Sequence, residues 1–323
     1  MIDKKQLFAL YKDAFPYDSD DYIRYFFSSV RKENIVVVKR GGRIVSAGYL
    51  VPKNAVIFGK SIVVDYLSAV GTLSDLRGHG IAAKVMALAL KKAYKSKVPF
   101  VALNPFNFEY YKRYCFVDAS YCGKDLICGG YDYDITYADA SVFGKLAEIY
   151  EEYSSGFSFK ETVGEQYYQS LTDELAVDDE HVWAASDNGE IFAYIAIDNG
   201  EITKYATIDF DKFKSINALK GMSFCDFKAN ELAYTQMRIA NVDEFLKLPI
   251  YSDLSFEHEF AVFDNIIGKN SGTYRVKYVD GEAVVRRVSK SLRNAISVAD
   301  LAQSFFNGQY PFKKPNVLFM DKY

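Results

Sequence analysis

The order of apolar and polar positions divides the chain into three stretches of different texture. In the first, Leu7, Leu10, Tyr11 and Ala14 recur at helical spacing until Phe15-Pro16 interrupts them. Asp18-Ser19-Asp20-Asp21 then supplies N-cap side chains for a second helix, whose apolar side is Tyr22, Ile23, Phe26, Phe27 and Val30. Residues 34–39 (NIVVVK) predict a strand, Gly41-Gly42 a tight turn, and 43–51 the returning strand. A longer extended run covers 62–70. Over 77–97 the period turns helical, with Ile81, Val85 and Leu88 on one face and Lys84, Lys91 and Lys95 opposite, and Pro99 stops that helix. A short buried strand at 100–103, a short helix at 108–114 and a strand from Phe116 follow.

The middle stretch, about 130–230, is a weaker echo of that plan. It predicts a helix at 140–153, a strand at 181–185, a turn at Asp187-Asn188-Gly189 and a returning strand at 191–197. The last stretch differs. Phe256, His258, Phe260 and Val262 alternate with Glu257, Glu259 and Ala261, the pattern of a half-buried strand. Asp280-Gly281 joins 274–279 to 283–288 as a hairpin, and Ser297 with Asp300 caps a helix that Gly308 ends. The expected fold class is α+β, in three parts: 1–128, 129–232 and a small α+β part at 233–323. No linker is rich in Pro or Ser, so the parts are expected to pack together.

Composition narrows the function classes. Half of the 323 residues are hydrophobic, a quarter are charged, and the net charge is −3. Without a long Lys/Arg block, nucleic-acid binding is not expected. No apolar run approaches the roughly 20 residues of a membrane span. The start, MIDKKQLFALYKDAF, is charged from residue 3 and lacks the apolar core of a secretory signal. The four cysteines and three histidines are scattered, so no metal framework is expected. Reduced cysteines in a cytoplasmic protein is the plain expectation. With 26 Tyr and 25 Phe against three His, tyrosine is the main supply of polar, titratable side chains for a site.

The chemistry concentrates in residues 66–82, YLSAVGTLSDLRGHGIA. A strand ends near Val70-Gly71-Thr72, and Arg77-Gly78-His79-Gly80-Ile81-Ala82 opens an amphipathic helix. Glycines at 78 and 80 let the backbone turn tightly and gather N–H groups, and the positive end of the helix adds to an anion site. The Walker lysine-hydroxyl pair and the dinucleotide G-x-G-x-x-G are both absent.

This segment resembles the pyrophosphate loop, R/Q-x-x-G-x-G/A, of the GNAT superfamily of acetyl-CoA-dependent N-acetyltransferases. Tyr110-Tyr111-Lys112-Arg113-Tyr114-Cys115-Phe116 is similar to the YxRxGF phrase of that superfamily, with Cys115 where glycine is usual. With 236–246 (QMRIANVDEFL) and 260–276 (FAVFDNIIGKNSGTYRV), the whole chain resembles the Eis (enhanced intracellular survival) family. That resemblance implies a catalytic GNAT domain, a degenerate second GNAT-like domain, and a sterol-carrier-protein-like C-terminal domain. The chain is shorter than typical members, with the loss in the middle domain.

The resemblance implies acetyl-CoA as donor and a small-molecule or peptide primary amine as acceptor. Val70, Gly71, Thr72, Arg77, Gly78, His79, Gly80, Ile81 and Ala82 are the expected cofactor-binding residues. The backbone over 69–72 would lie along the pantetheine arm, and the Val70 N–H would meet the oxyanion. Tyr111 is the implied general acid. The carboxylate of Tyr323 is the implied base, with Glu109 as the fallback. Asp18 and Asp21 could attract a cationic amine. The resemblance further implies a homo-oligomer, a trimer or hexamer. Two other readings stay open: a non-catalytic lipid- or partner-binding protein with a vestigial CoA site, and a transferase that uses a longer acyl-CoA.

Overall fold

A computed structural model describes residues 3–198, 200–229, 231–289 and 292–320. They form two compact units, one built from 3–119 with 234–316 and the other from 120–233 with 317–320.

The first unit begins with α1 (Lys4–Ala14), whose cap Asp3 accepts from the Lys5 and Gln6 amides. In α2 (Asp20–Ser29) the cap is Ser19, which accepts from the Tyr22 amide, and Asp20 and Asp21 add negative charge to the first turn. β1 (Ile35–Arg40), β2 (Arg43–Ile57) and β3 (Lys60–Thr72) follow as an antiparallel meander. The β2/β3 hairpin is longer than the pattern predicts. It runs through Pro52, opposite Asp65, to a turn at Phe58 and Gly59 in which both residues have positive φ, as a two-residue hairpin requires. Next come α3 (Ile81–Lys95), β4 (Phe100–Leu103), α4 (Phe108–Lys112) and β5 (Val117–Leu126).

Two cores sandwich this sheet. On one face, Leu7, Leu10 and Tyr11 of α1 and Ile23 and Phe26 of α2 meet Ile44, Val45, Ala47 and Tyr49 of β2. On the other, Val85, Met86, Ala89, Leu90 and Ala93 of α3 meet Leu50, Leu67, Val101 and Leu103. Each such large apolar side chain stabilises the fold by roughly 1.5–3 kcal/mol. Leu88, expected on the buried face of α3, is exposed. At 100° per residue the buried stripe centres on Val85 and Ala89, and Leu88 falls just past its edge.

The parallel pairing of β3 with β4 joins only Val64, Asp65 and Tyr66 to Phe100, Val101 and Ala102. Beyond Tyr66, β3 runs on to Thr72 while β4 ends at Leu103, so the two strands part.

The second unit contains β6 (Asp134–Tyr137), α5 (Phe143–Tyr153), β7 (Phe159–Glu161), α6 (Glu165–Leu175), β8 (Val182–Asp187), β9 (Glu190–Asp198), β10 (Glu201–Thr207), α7 (Phe210–Lys214) and β11 (Ser223–Asp226). Its antiparallel sheet has the order β10-β9-β8-β6, with the expected turn at Asn188 and Gly189. Tyrosines supply much of its core. Buried Tyr150 and Tyr168 donate to the carbonyls of Glu161 and Leu146, so neither phenol is stranded.

The chain re-enters the first unit at Tyr234, so the stretch set apart as 233–323 by its pattern shares a unit with the first stretch. The reason is β12 (Leu232–Ile239), which pairs antiparallel with β4 from Gln236↔Leu103 to Ile239↔Phe100. After it come α8 (Val242–Leu246), β13 (Ser255–Phe263), β14 (Gly272–Val279), β15 (Glu282–Ser289), β16 (Ile296–Ser297) and α9 (Val298–Phe306). The second sheet of this unit has the order β15-β14-β13-β16, and Ser297 and Asp300 form the capping box of α9. The short β17 (Val317–Leu318) pairs with β7 in the second unit. Among the described residues no helix is long and apolar enough to cross a membrane.

Arg238 and Asp264 are fully buried and lie 2.6 Å apart, and Arg238 also donates to the Tyr114 carbonyl. Burial raises the Asp264 pKa, but the Arg238 charge and hydrogen bond, with the Ile267 amide and Asn270, overcome this and hold it below the usual carboxylate range. Just after Tyr114, Cys115 sits at φ +63°, the left-handed conformation that favours glycine. A side chain there costs about 1–2 kcal/mol. Cys115→Gly should raise the urea unfolding midpoint, by the equivalent of about 0.5–1 kcal/mol, and β-branched Cys115→Val should lower it. Equal midpoints for the two variants would contradict this strain.

Candidate active site

The parting of β3 from β4 opens a cavity of about 410 Å³. One wall is β3 and the loop after it: Val70, Thr72, Leu76, Arg77, Gly78, Gly80, Ile81 and Ala82, with Ala83 of α3. The other is the segment around α4: Phe106, Tyr110, Tyr111, Arg113 and Tyr114.

On the first wall the decisive local feature is a bulge. Gly71 pairs with Ala47 and Ser68 with Tyr49, leaving Ala69 and Val70 both opposite Gly48. Ala69 takes φ +47°, a rare conformation for a residue with a Cβ. A Cβ on Gly48 would lie 3.0 Å from Val85 and 3.3 Å from Val70, so glycine there keeps room for the bulge. No glycine or asparagine marks Ala69, which is why the sequence pattern misses it.

The loop then passes through a short 3-10 turn (Ser74–Leu76) to Gly78 at φ +80° and Gly80 at φ +71°. Gly80 is the N-cap of α3, and among the described residues no side-chain hydrogen bond caps that end. The first amides of a 15-residue helix therefore face the cavity region without a side-chain acceptor. A Cβ built on Gly78 or Gly80 meets nothing within 4 Å. These glycines serve the backbone angle and the open space above it, which is the shape a pyrophosphate requires.

Arg77 lines the cavity, but its Nε donates to the Thr72 carbonyl (3.1 Å) and its Nη2 to the Asp13 carbonyl (3.2 Å) at the end of α1. It ties the loop to α1 and contributes charge at the rim. His79 is exposed and hydrogen-bonds through Nδ1 to the Arg77 carbonyl (2.9 Å), outside the cavity lining. Gly71 also lies outside the lining. A Cβ there would stand 2.8 Å from the Ala14 Cβ, so this glycine permits the close approach of α1.

On the second wall, Asn107 caps α4 by accepting from the Tyr110 amide (3.1 Å). Tyr111 is 7% exposed, lines the cavity and makes no side-chain hydrogen bond among the described residues. Burial, with the neighbouring Tyr110, pushes its pKa up to about 12, so its phenol stays protonated. Helical geometry predicts that Tyr110 points away from the site. It also lines the cavity, because five-residue α4 meets the opening at its end, and its hydroxyl accepts from Tyr114 (3.4 Å). Phe106, 82% exposed, packs edge-on against Tyr111, and the Arg113 guanidinium lies 4.8 Å from the Tyr110 ring centre. This aromatic wall is readable in hindsight from the spacing of Phe106, Tyr110 and Tyr114.

The remaining expected residues lie outside the cavity. Asp21 pairs with Arg24 at 2.5 Å on exposed helix, and Glu109 pairs with Lys112 at 2.5 Å. Asp18, in the turn before α2, accepts from Lys12 through its carbonyl (2.6 Å) and stands beside the Tyr11 hydroxyl. Tyr323 lies outside the described residues. Among the described residues no cluster of His, Cys, Asp and Glu has the arrangement of a metal site.

A bulged strand, an uncapped helix N-terminus beyond a two-glycine turn, and a cavity beside parted parallel strands come together in this mixed α/β fold. Residues 2–117 match the acetyltransferase (GNAT) domain family, which supports an acyltransferase enzyme. No curated protein is similar enough in sequence to match the chain. Three solved structures share its fold over nearly the full length. A GCN5-related N-acetyltransferase from Anabaena variabilis is 16% identical with a TM-score of 0.70, covering 94% of this chain and 88% of that one. A probable N-acyltransferase from Enterococcus faecalis is 17% identical with a TM-score of 0.73, covering 93% and 86%. Eis1 from Mycobacterium abscessus is 13% identical with a TM-score of 0.63, covering 94% and 87%.

The GNAT domain implies acyl-CoA binding, and the Gly78 and Gly80 cradle fits its pyrophosphate. Gly80→Ala keeps free space for the methyl group but must strain the left-handed cap by about 1 kcal/mol. Calorimetric titration should show CoA affinity reduced at least tenfold with little change in Tm. Unchanged affinity would remove this loop from the anion site.

Proposed function

We propose that the protein transfers an acyl group, acetyl as the first candidate, from acyl-CoA to a primary amine by direct attack. The observation that carries this reading is the meeting, in one cavity, of the Ala69/Val70 bulge, the uncapped start of α3 and the unpartnered phenol of Tyr111. The acyl-CoA supplies the thioester. The amides at Gly78, Gly80 and Ile81 hold its pyrophosphate, and the backbone approaching Thr72 aligns the pantetheine arm. The bulged Val70 N–H meets the carbonyl oxygen as it gains negative charge. The amine nitrogen forms the new N–C bond, the C–S bond breaks, and the sulfur leaves with the electron pair. The amine proton passes to a base, for which the Eis resemblance implies the Tyr323 carboxylate.

The pKa of Tyr111 refines its part in this step. A thiolate whose acid has a pKa of about 8.5 cannot fully strip a phenol held near 12. Tyr111 therefore acts first as a hydrogen-bond donor to the sulfur as charge builds there; its proton then passes to the thiolate, and the amine proton taken up by the base returns to the phenolate, so that one proton moves in net from nitrogen to sulfur. A donor panel of acyl-CoAs, from acetyl upward, against diverse amines and read as free thiol release, tests the activity. Silence across the panel despite tight CoA binding would overturn it.

Tyr111→Phe should lower kcat about 10²-fold, within the range for loss of a proton-donating side chain, while the Kd for CoA stays within threefold. A fully active Tyr111→Phe would remove this tyrosine from the chemistry. The pH profile gives an independent check. The neutral form is the active one, and it persists until pH rises through about 12. No alkaline decline of kcat between pH 7 and 10 should therefore depend on Tyr111. A decline in that window that vanishes in Tyr111→Phe would contradict the assignment.

A further inference from the structure

We propose that β12 is a positioning strand for Tyr111, holding the two ends of α4 through Gln236 and Arg238. These residues are two apart on one strand and so share a face. Gln236 donates from Nε2 to the Phe108 carbonyl (3.2 Å) at the first residue of α4, and to Asp118 Oδ1 (2.8 Å). Arg238 donates to the Tyr114 carbonyl just past the end of α4, and to Asp264 (2.6 Å). This inference rests on the proposed role of Tyr111.

Helix α4 needs such a hold. It has five residues, fewer than a helix requires to persist by its own hydrogen bonds, and its one side-chain cap is Asn107. The turn that ends it carries the strained Cys115. Both holding side chains are fully buried, and each keeps one atom without a hydrogen-bond partner among the described residues, Oε1 of Gln236 and Nε of Arg238. Buried polar groups that are incompletely satisfied stabilise a fold less well than apolar side chains of the same size. Their distinctive contribution is placement.

The placement is relative to the bulge. Gln236 and Arg238 pair through their backbones with Leu103 and Val101 of β4, and Val101 pairs with Asp65 of β3, the strand that ends in Ala69 and Val70. The phenol that meets the sulfur and the amide that meets the carbonyl oxygen are thus fixed to one another through three hydrogen-bonded strands and two side-chain contacts. Displacing α4 should slow the chemical step more than it weakens CoA binding, because the anion site sits on the opposite wall.

The test is a double-mutant cycle in the full-length protein. Gln236→Leu, alone and with Tyr111→Phe, is assayed for kcat, CoA Kd and Tm. Arg238→Met paired with Asp264→Leu, which removes both charges together, is the second variant should Gln236→Leu fail to fold. The expected result is a kcat loss of at least tenfold with Kd within threefold, shrinking to less than twofold in the Tyr111→Phe background. A kcat loss of equal size in both backgrounds, or undiminished kcat in a folded variant, would overturn the positioning role. The Tyr111→Phe single variant separates the two readings. If it is impaired but the losses add, only the positioning role falls; if it is fully active, both fall.

Discussion

The parting of two parallel strands governs the chemistry this molecule can perform. β3 and β4 are held together over three residue pairs and then separate, so a layer that would otherwise be continuous sheet becomes an opening. Backbone groups that lose their strand partner must find others, because a buried and unpaired amide or carbonyl is costly. In this fold the incoming substrate can satisfy them, which couples binding to the secondary structure itself. The bulge at Ala69 and Val70 turns the strand edge further toward the opening, with Gly48 leaving space behind it.

The electrostatics follow from the same economy of parts. The acyl-CoA that the GNAT domain implies is a polyanion, whereas the chain has a net charge of −3 and the cavity has no lysine in its lining. Its one loop arginine already spends hydrogen bonds on Thr72 and Asp13. Beside Arg77 and Arg113, the oriented amides at the start of α3 add a fixed positive field that needs no side-chain ordering. Across the cavity the wall is mostly aromatic, with Arg113 lying against the Tyr110 ring.

Much of this was legible in the sequence, for identifiable reasons. Gly78 and Gly80 announce the loop because only a glycine takes their angles freely, and the amphipathic run that follows fixes α3. The phrase around Tyr111 places α4. The bulge stayed hidden because alanine at a positive φ carries no compositional mark. The 58–59 turn escaped for the same reason, with phenylalanine where asparagine is customary. The division into three parts rests on hydrophobic period, which reports each element's local face. It is blind to long-range partners such as β12 and β4, which meet across more than a hundred residues. The distinct texture of 233–323 gives no sign of this pairing, although β12 carries three buried polar residues, Thr235, Gln236 and Arg238, among apolar neighbours.

That distant pairing has a consequence for the order in which the molecule is made. A ribosome releases residues 3–119, with both flanking cores of the first sheet, well before β12 has been synthesised. The early segment can already collapse around α1, α2 and α3, yet β4 still presents an open edge and α4 lacks its two side-chain contacts. Until β12 arrives, that edge is a place where another strand could pair wrongly. The placement of α4 beside the cavity is therefore among the last features to mature on the nascent chain, although Val70 and Tyr111 themselves emerge early.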